Sequence, residues 1–209
     1  MAQLCRWRPM TDEPTVFLVD DDPAALRALT ATVKVVFPHV EVFSSAADFL
    51  AAYQAGRPGC LVLDVAMPGM NGLELQRKMI RDKIALPVVF VTGHGNVSMA
   101  VEAMQMGAVN FIEKPYQEQE LWASVRKALE LDAQQRRRFA RRRQAEERLA
   151  VLSRGEREVL DLIMEGKLNK EIAVELGLST RTIEDRRAKL MKKMGAKSLA
   201  ELIQLAMTH

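Results

Sequence analysis

The chain has 209 residues, 48% hydrophobic and 27% charged, a balance that excludes the disordered and fibrous classes and suits two small domains or one large one. No apolar run nears the roughly 20 residues of a membrane-spanning helix, and two distant cysteines (Cys5, Cys60) with three scattered histidines (His39, His94, His209) argue against a disulfide framework or a histidine metal cluster. The net charge of +3 is unevenly spread: residues 1–131 hold 12 basic and 15 acidic side chains, 132–152 hold 7 and 3, and 153–209 hold 11 and 9, so only the rear half suits a polyanion.

From the N-terminus, MAQLCRWRPMTDEP carries arginines but no apolar stretch, which argues against a secretory signal. Met10 offers an alternative start, and residues 1–13 are read as an extension. Cys60 opens an apolar run and is expected to be a buried small hydrophobe, in keeping with a reducing, cytoplasmic setting.

Short apolar runs at Thr15–Val19, Val40–Phe43, Cys60–Leu63, Val88–Val91 and Asn110–Ile112 then alternate with helical stretches near Pro23–Val36, Ala46–Tyr53, Gly72–Arg81 and Val97–Met106, and a fifth from Glu118. Pro23 suits a first helical turn. The pattern predicts an α/β domain: a five-stranded parallel sheet, doubly wound, with helices on both faces. In such sheets ligands bind beyond the carboxyl ends of the strands.

The polar residues stand at those ends. The first strand runs into Asp20, Asp21 and Asp22, the third into Asp64, the fourth into Thr92 and Gly93, and the fifth into Glu113, Lys114 and Pro115. Carboxylates gathered on one rim repel unless a divalent cation and a cationic side chain offset them. Oxygen ligands from a few carboxylates suit Mg2+, and Lys114 is the cationic partner. Asp22 is read as a helix N-cap or a first-turn acid complementing the dipole, rather than a primary ligand. Singly, Thr92 reads as a strand-end hydroxyl, Lys114 as a surface lysine and the glycines of GMNG as turn residues; their common place at strand ends favours a site.

Together VFLVDDDP, LVLDVAMPGMNG, VVFVTGHGN and AVNFIEKPY resemble the receiver domain of two-component response regulators, over about residues 14–131. The resemblance implies the strand order 2-1-3-4-5. It implies that Asp64 accepts a phosphoryl group from a histidine kinase, and that Asp20, Asp21, Asp64 and the backbone carbonyl of Ala66 hold Mg2+. Thr92 and Lys114 would bind phosphoryl oxygens. Phe111 would be the aromatic that changes rotamer, and the Lys114–Pro115 bond would be cis. Ala66 departs from the polar or basic side chain common at that place.

From Leu129 to Ser153 the chain has no glycine or proline and is rich in helix formers, so the fifth helix is expected to continue as a linker over 132–149. RRRFARRR is read chiefly as a solvated face. SRGE at 153–156 is a capping box, Gly177 marks a tight turn, Ser179 is an N-cap, and Ser198 with Glu201 repeats the box. Four short helices with a glycine turn between the middle pair predict an all-α helix-turn-helix domain over 150–209. Ile183, Leu190 and Met194 form the buried stripe of its second central helix.

This stretch resembles the DNA-binding domain of LuxR-type regulators, and the whole chain resembles a response regulator of the FixJ type. By resemblance Glu184, Asp185 and Ala188 face base edges. Arg181, Arg187, Lys189 and Lys192 are candidates for phosphate contacts. Relatives often carry histidine at the place of Arg186, and Lys193 is read as a solvated charge. The implied protein is a transcription regulator rather than an enzyme. Its partners are a histidine kinase, double-stranded DNA, RNA polymerase without an intervening ATPase module, and a second copy paired through the fourth helix, fifth strand and fifth helix. Two rival readings remain: a phosphate sink, and a constitutive DNA binder whose receiver only docks.

Overall fold

The computed structural model describes residues 13–207. Cys5, Met10, His209 and nearly all of the expected 1–13 extension lie outside the described residues. Five strands form one parallel sheet: β1 (Thr15–Val19), β2 (Val40–Phe43), β3 (Gly59–Leu63), β4 (Val88–Thr92) and β5 (Asn110–Glu113). Their order is β2-β1-β3-β4-β5, with Val16 in register with Val40 and Cys60, Leu61 with Val88, and Val89 with Asn110.

Side chains alternate across the sheet, as strand geometry requires. Phe17, Val19, Leu61, Leu63 and Phe90 form one core with α2 (Ala46–Ala52), α3 (Gly72–Arg81) and α4 (Val97–Gln105). Val16, Leu18, Val62, Val89 and Val91 form the other with α1 (Pro23–Lys34) and α5 (Glu118–Ala150). Each fully buried Leu, Val or Phe contributes about 1.5–3 kcal/mol of apolar transfer.

Local chemistry starts the helices where they start. Asp22 accepts the Ala24 amide at 2.8 Å ahead of Pro23, and Asn71 and Glu74 close a capping box with both bonds at 2.9 Å. Gly59 is needed for close approach: a Cβ there would lie 2.0 Å from the Thr15 carbonyl oxygen. Its amide donates to the buried carboxylate of Asp132 at 3.0 Å, tying α5 to the start of β3.

The helix α5 is continuous, as expected, and the chain divides into two compact units within it, at Gln135 and Arg136. The second unit comprises the rest of α5 with α6 (Arg154–Met164), α7 (Asn169–Leu176), α8 (Thr180–Met194) and α9 (Leu199–Met207). Its core includes Val159, Leu160, Ile163, Ile172, Ile183, Leu190, Met194 and Leu202, with Leu149 of α5 packed against it. Arg148 also donates to the Met194 carbonyl at 2.7 Å, capping α8. Gly177, with φ 62°, makes the left-handed turn between α7 and α8. At α9 the capping box is altered: Ser198 accepts the Glu201 amide, but the Glu201 carboxylate takes the amide of Lys197, one residue earlier.

Candidate functional site

The carboxyl edge of the sheet gathers residues that are far apart in sequence. Asp20 follows β1, Asp64 follows β3, Thr92 ends β4 and Lys114 follows β5; Asp20, Asp64 and Thr92 are 2%, 7% and 0% exposed. Lys114 Nζ lies 2.7 Å from Asp20 Oδ2 and 3.4 Å from Asp64 Oδ1. The other oxygens accept backbone amides, Asp20 Oδ1 from Asp22 at 2.9 Å and Asp64 Oδ2 from Ala66 at 2.6 Å.

Burial, and then the charge of Asp20, raises the pKa of Asp64 above its ordinary value, against the pull of Lys114 and the Ala66 amide. Burial alone would lower that of Lys114, but the hydrogen bond and charge of Asp20, with those of Asp64, raise it, so the ammonium stays protonated. Two buried carboxylates thus face one cation.

The expected grouping of Asp20, Asp21 and Asp64 is only partly assembled. Asp21 is exposed, and among the described residues no three Asp, Glu, His or Cys side chains stand close enough to hold a metal ion. Lys114 joins the two buried carboxylates, and Asp21 stands in water. The donor set is nonetheless all oxygen, with more buried negative charge than one ammonium offsets, which fits a hard divalent cation such as Mg2+.

Thr92 is anchored from both sides. Its Oγ1 accepts the His94 amide at 3.2 Å, and its carbonyl accepts the Lys114 amide at 2.8 Å. Phe111 is half-buried against Phe90, ring centroids 5.8 Å apart. Gly95 lies against the same ring: a Cβ there would be 2.8 Å from Phe111 and 3.1 Å from the Thr92 methyl. The Lys114–Pro115 bond is cis.

In the second unit, α8 presents its side chains on distinct flanks. Helical spacing puts Arg181, Glu184, Asp185, Ala188 and Lys192 on one stripe, opposite the buried Ile183, Leu190 and Met194, with Lys189 beside it. All six of these outer residues are exposed. The remaining cations are engaged by neighbouring helices. Arg187, half-buried, donates to Asn169 Oδ1 of α7 at 2.7 Å. Arg186 lies over Gly155 of α6, where a Cβ would come within 2.7 Å of its guanidinium.

Lys193 corrects the reading of a solvated charge: its Nζ is 2.6 Å from Glu156, a carboxylate 4% exposed, and 3.2 Å from the Val151 carbonyl. The hydrogen bond from Lys193, with the Ser153 amide, lowers the Glu156 pKa to about 2. Asn169 and Gly155 carry no local signal in the sequence, and Glu156, legible as a capping residue, gives no sign of its bond to Lys193, because each acts on a helix distant along the chain.

Two family models match: "Response regulator receiver domain" over residues 16–126 and "Bacterial regulatory proteins, luxR family" over 150–206. The response regulator protein TodT of Pseudomonas putida is 40% identical over 199 residues, 95% of this chain and 88% of that one. The transcriptional regulatory protein FixJ of Azorhizobium caulinodans is 41% identical over 198 residues, 95% and 94% of the two chains. The chain belongs to the two-component response regulators. Among solved structures, the response regulator StyR superposes with a TM-score of 0.86 at 38% identity, covering 94% of this chain and all of that one. This response regulator therefore joins a receiver to a LuxR-type helix-turn-helix domain, the architecture of a two-component transcription regulator. Among its described residues, no helix is long and apolar enough to cross a membrane.

Proposed function

We propose that phosphorylation of Asp64 by a histidine kinase controls promoter binding by α8. The contact that carries this reading is Lys114 Nζ bridging Asp64 and Asp20 at the carboxyl edge of the sheet. An Asp64 oxygen attacks the phosphorus of a phosphohistidine; the new P–O bond forms as the P–N bond breaks, and the histidine leaves with the electron pair. Lys114 pairs with one phosphoryl oxygen and the Thr92 hydroxyl donates to another. Asp20, Asp21, Asp64 and the Ala66 carbonyl would hold Mg2+, which when bound neutralises charge on the phosphoryl oxygens.

Drawing Thr92 and Lys114 toward the phosphoryl group disturbs the packing of Thr92, Gly95 and Phe111, and so reaches α4. That helix leaves Val97, Val101 and Met104 82%, 49% and 47% exposed, an apolar stripe suited to a second copy. Pairing raises the effective concentration of the second DNA-binding domain near its half-site. Glu184, Asp185 and Ala188 then meet base edges, while Arg181, Arg187, Lys189 and Lys192 meet phosphates. The bound regulator acts on RNA polymerase in the cytoplasm.

The test is labelling by acetyl phosphate. Incorporation that requires Mg2+ and is abolished by Asp64→Ala supports the reading. Labelling that persists in this variant places the acceptor elsewhere.

A further inference from the structure

Phosphates line the edges of a DNA groove, so the cations that reach them stand on the flanks of the helix within it. On α8 two flanks carry cations that lie against other helices. On the α6 side, Arg186 lies over Gly155 and Lys193 is bound by the nearly buried Glu156 and the Val151 carbonyl. Lys193 is an internal tie, and Arg186 covers Gly155. On the α7 side stands Arg187, a surface neighbour of the exposed Glu184 three residues before it.

Arg187 differs in what holds it. Its partner is a neutral amide oxygen, Asn169 Oδ1, at 2.7 Å, so its charge is not offset. A guanidinium has five N–H donors in a fixed fork, and the bond to Asn169 leaves the remainder for another acceptor. Asn169 is the first residue of α7, and the preceding Leu168 supplies no side-chain cap. A free arginine side chain loses considerable rotamer freedom when it grips a phosphate; one already held has lost part of it beforehand.

We propose that Asn169 is a positioning residue for DNA binding, holding the Arg187 guanidinium at the edge of α8 where it meets a backbone phosphate. The inference rests on the reading of α8 as the helix in the major groove. Asn169 acts through Arg187, not on DNA itself.

The experiment uses the full-length chain, treated with acetyl phosphate and Mg2+, and a duplex that it selects in vitro from a random pool. Arg187→Ala removes one phosphate contact and lowers the slope of log affinity against log salt by about one. Asn169→Ala leaves the charge but releases it, weakening binding roughly five- to tenfold with the slope nearly unchanged. The double variant binds no worse than Arg187→Ala alone, because Asn169 has nothing left to position. Asn169→Asp suits a first helical turn, so it folds, yet it offsets the guanidinium and lowers the slope as Arg187→Ala does.

Wild-type affinity in Asn169→Ala, losses that add in the double variant, or an unchanged slope in Asn169→Asp each overturns the proposal. Lys189→Ala separates this failure from failure of the underlying reading. If it lowers the slope while the Asn169 variants do not, only the positioning role is lost. If no α8 variant alters binding, or no duplex is selected, α8 is not the groove helix and both readings fall.

Discussion

Replacing Lys193 with methionine removes the charge but keeps most of the apolar stem in place. Glu156 then stays nearly buried with only the Ser153 amide and side chain to satisfy it. Its pKa is held at about 2 against an ordinary 4.5, which by proton linkage corresponds to roughly 3 kcal/mol. The Ser153 amide supplies part of this, and the lysine side chain is 38% exposed, so water screens the pair. The expected loss is about 1–2 kcal/mol at neutral pH. Because the folded pKa is depressed, this stability is present above about pH 4.5 and is lost as the pH falls toward 2. Wild type and Lys193→Met should therefore differ at pH 7 and converge in acid. Urea unfolding of the full chain followed by far-ultraviolet circular dichroism measures this, while tryptophan fluorescence follows the first unit separately, since Trp7 and Trp122 both precede residue 136. An unchanged midpoint, or a difference that is the same at every pH, refutes the argument.

Asp64→Asn should stabilise the first unit at neutral pH: burial and Asp20 raise the acid's folded pKa, so ionisation costs stability as pH rises, and the advantage should vanish below about pH 4. Thermal melting by Trp122 fluorescence tests this, and a variant less stable at pH 7 contradicts it. Gly95→Ala pushes a methyl group to 2.8 Å from the Phe111 ring and should cost about 1–3 kcal/mol, read from the urea midpoint of the first unit; a neutral effect means the ring moves freely. Gly155→Ala should do the opposite. Only the flexible end of Arg186 stands in the way, so α6 gains about 0.5–1 kcal/mol, and a lower melting temperature of the second unit would show that Arg186 cannot yield.

What was legible in the sequence is what neighbours along the chain decide. Asp22 before Pro23, and Ser153 three residues before Glu156, mark helix starts because a cap is a local bond. The apolar runs show the strands, yet β3 begins one residue early, at Gly59, whose place in the ladder is backbone pairing that no hydrophobic pattern reports. The first helix stops at Lys34 rather than Val36, where the Val36 amide closes a tighter turn on the Val33 carbonyl at 3.1 Å. Lys114 and Asp20, 94 positions apart, could be paired in advance only because parallel βα units bring strand ends together. No such rule connects Lys193 to Glu156 or Arg187 to Asn169. Those bonds depend on how three helices pack, and a charge on a helix reads as solvated until its neighbour is known.

The strand order also bears on self-assembly. Three inner strands, TVFLV, GCLVL and VVFVT, are wholly buried runs of the kind that stack with their own copies once freed. The strands left at the edges, β2 and β5, are the shortest, four residues each, and carry Glu41 and Glu113. Short, charged edges give a foreign strand little to extend. Protection against fibre formation is thus a property of the folded sheet: the segments most able to seed a cross-β stack are exposed only when the first unit unfolds.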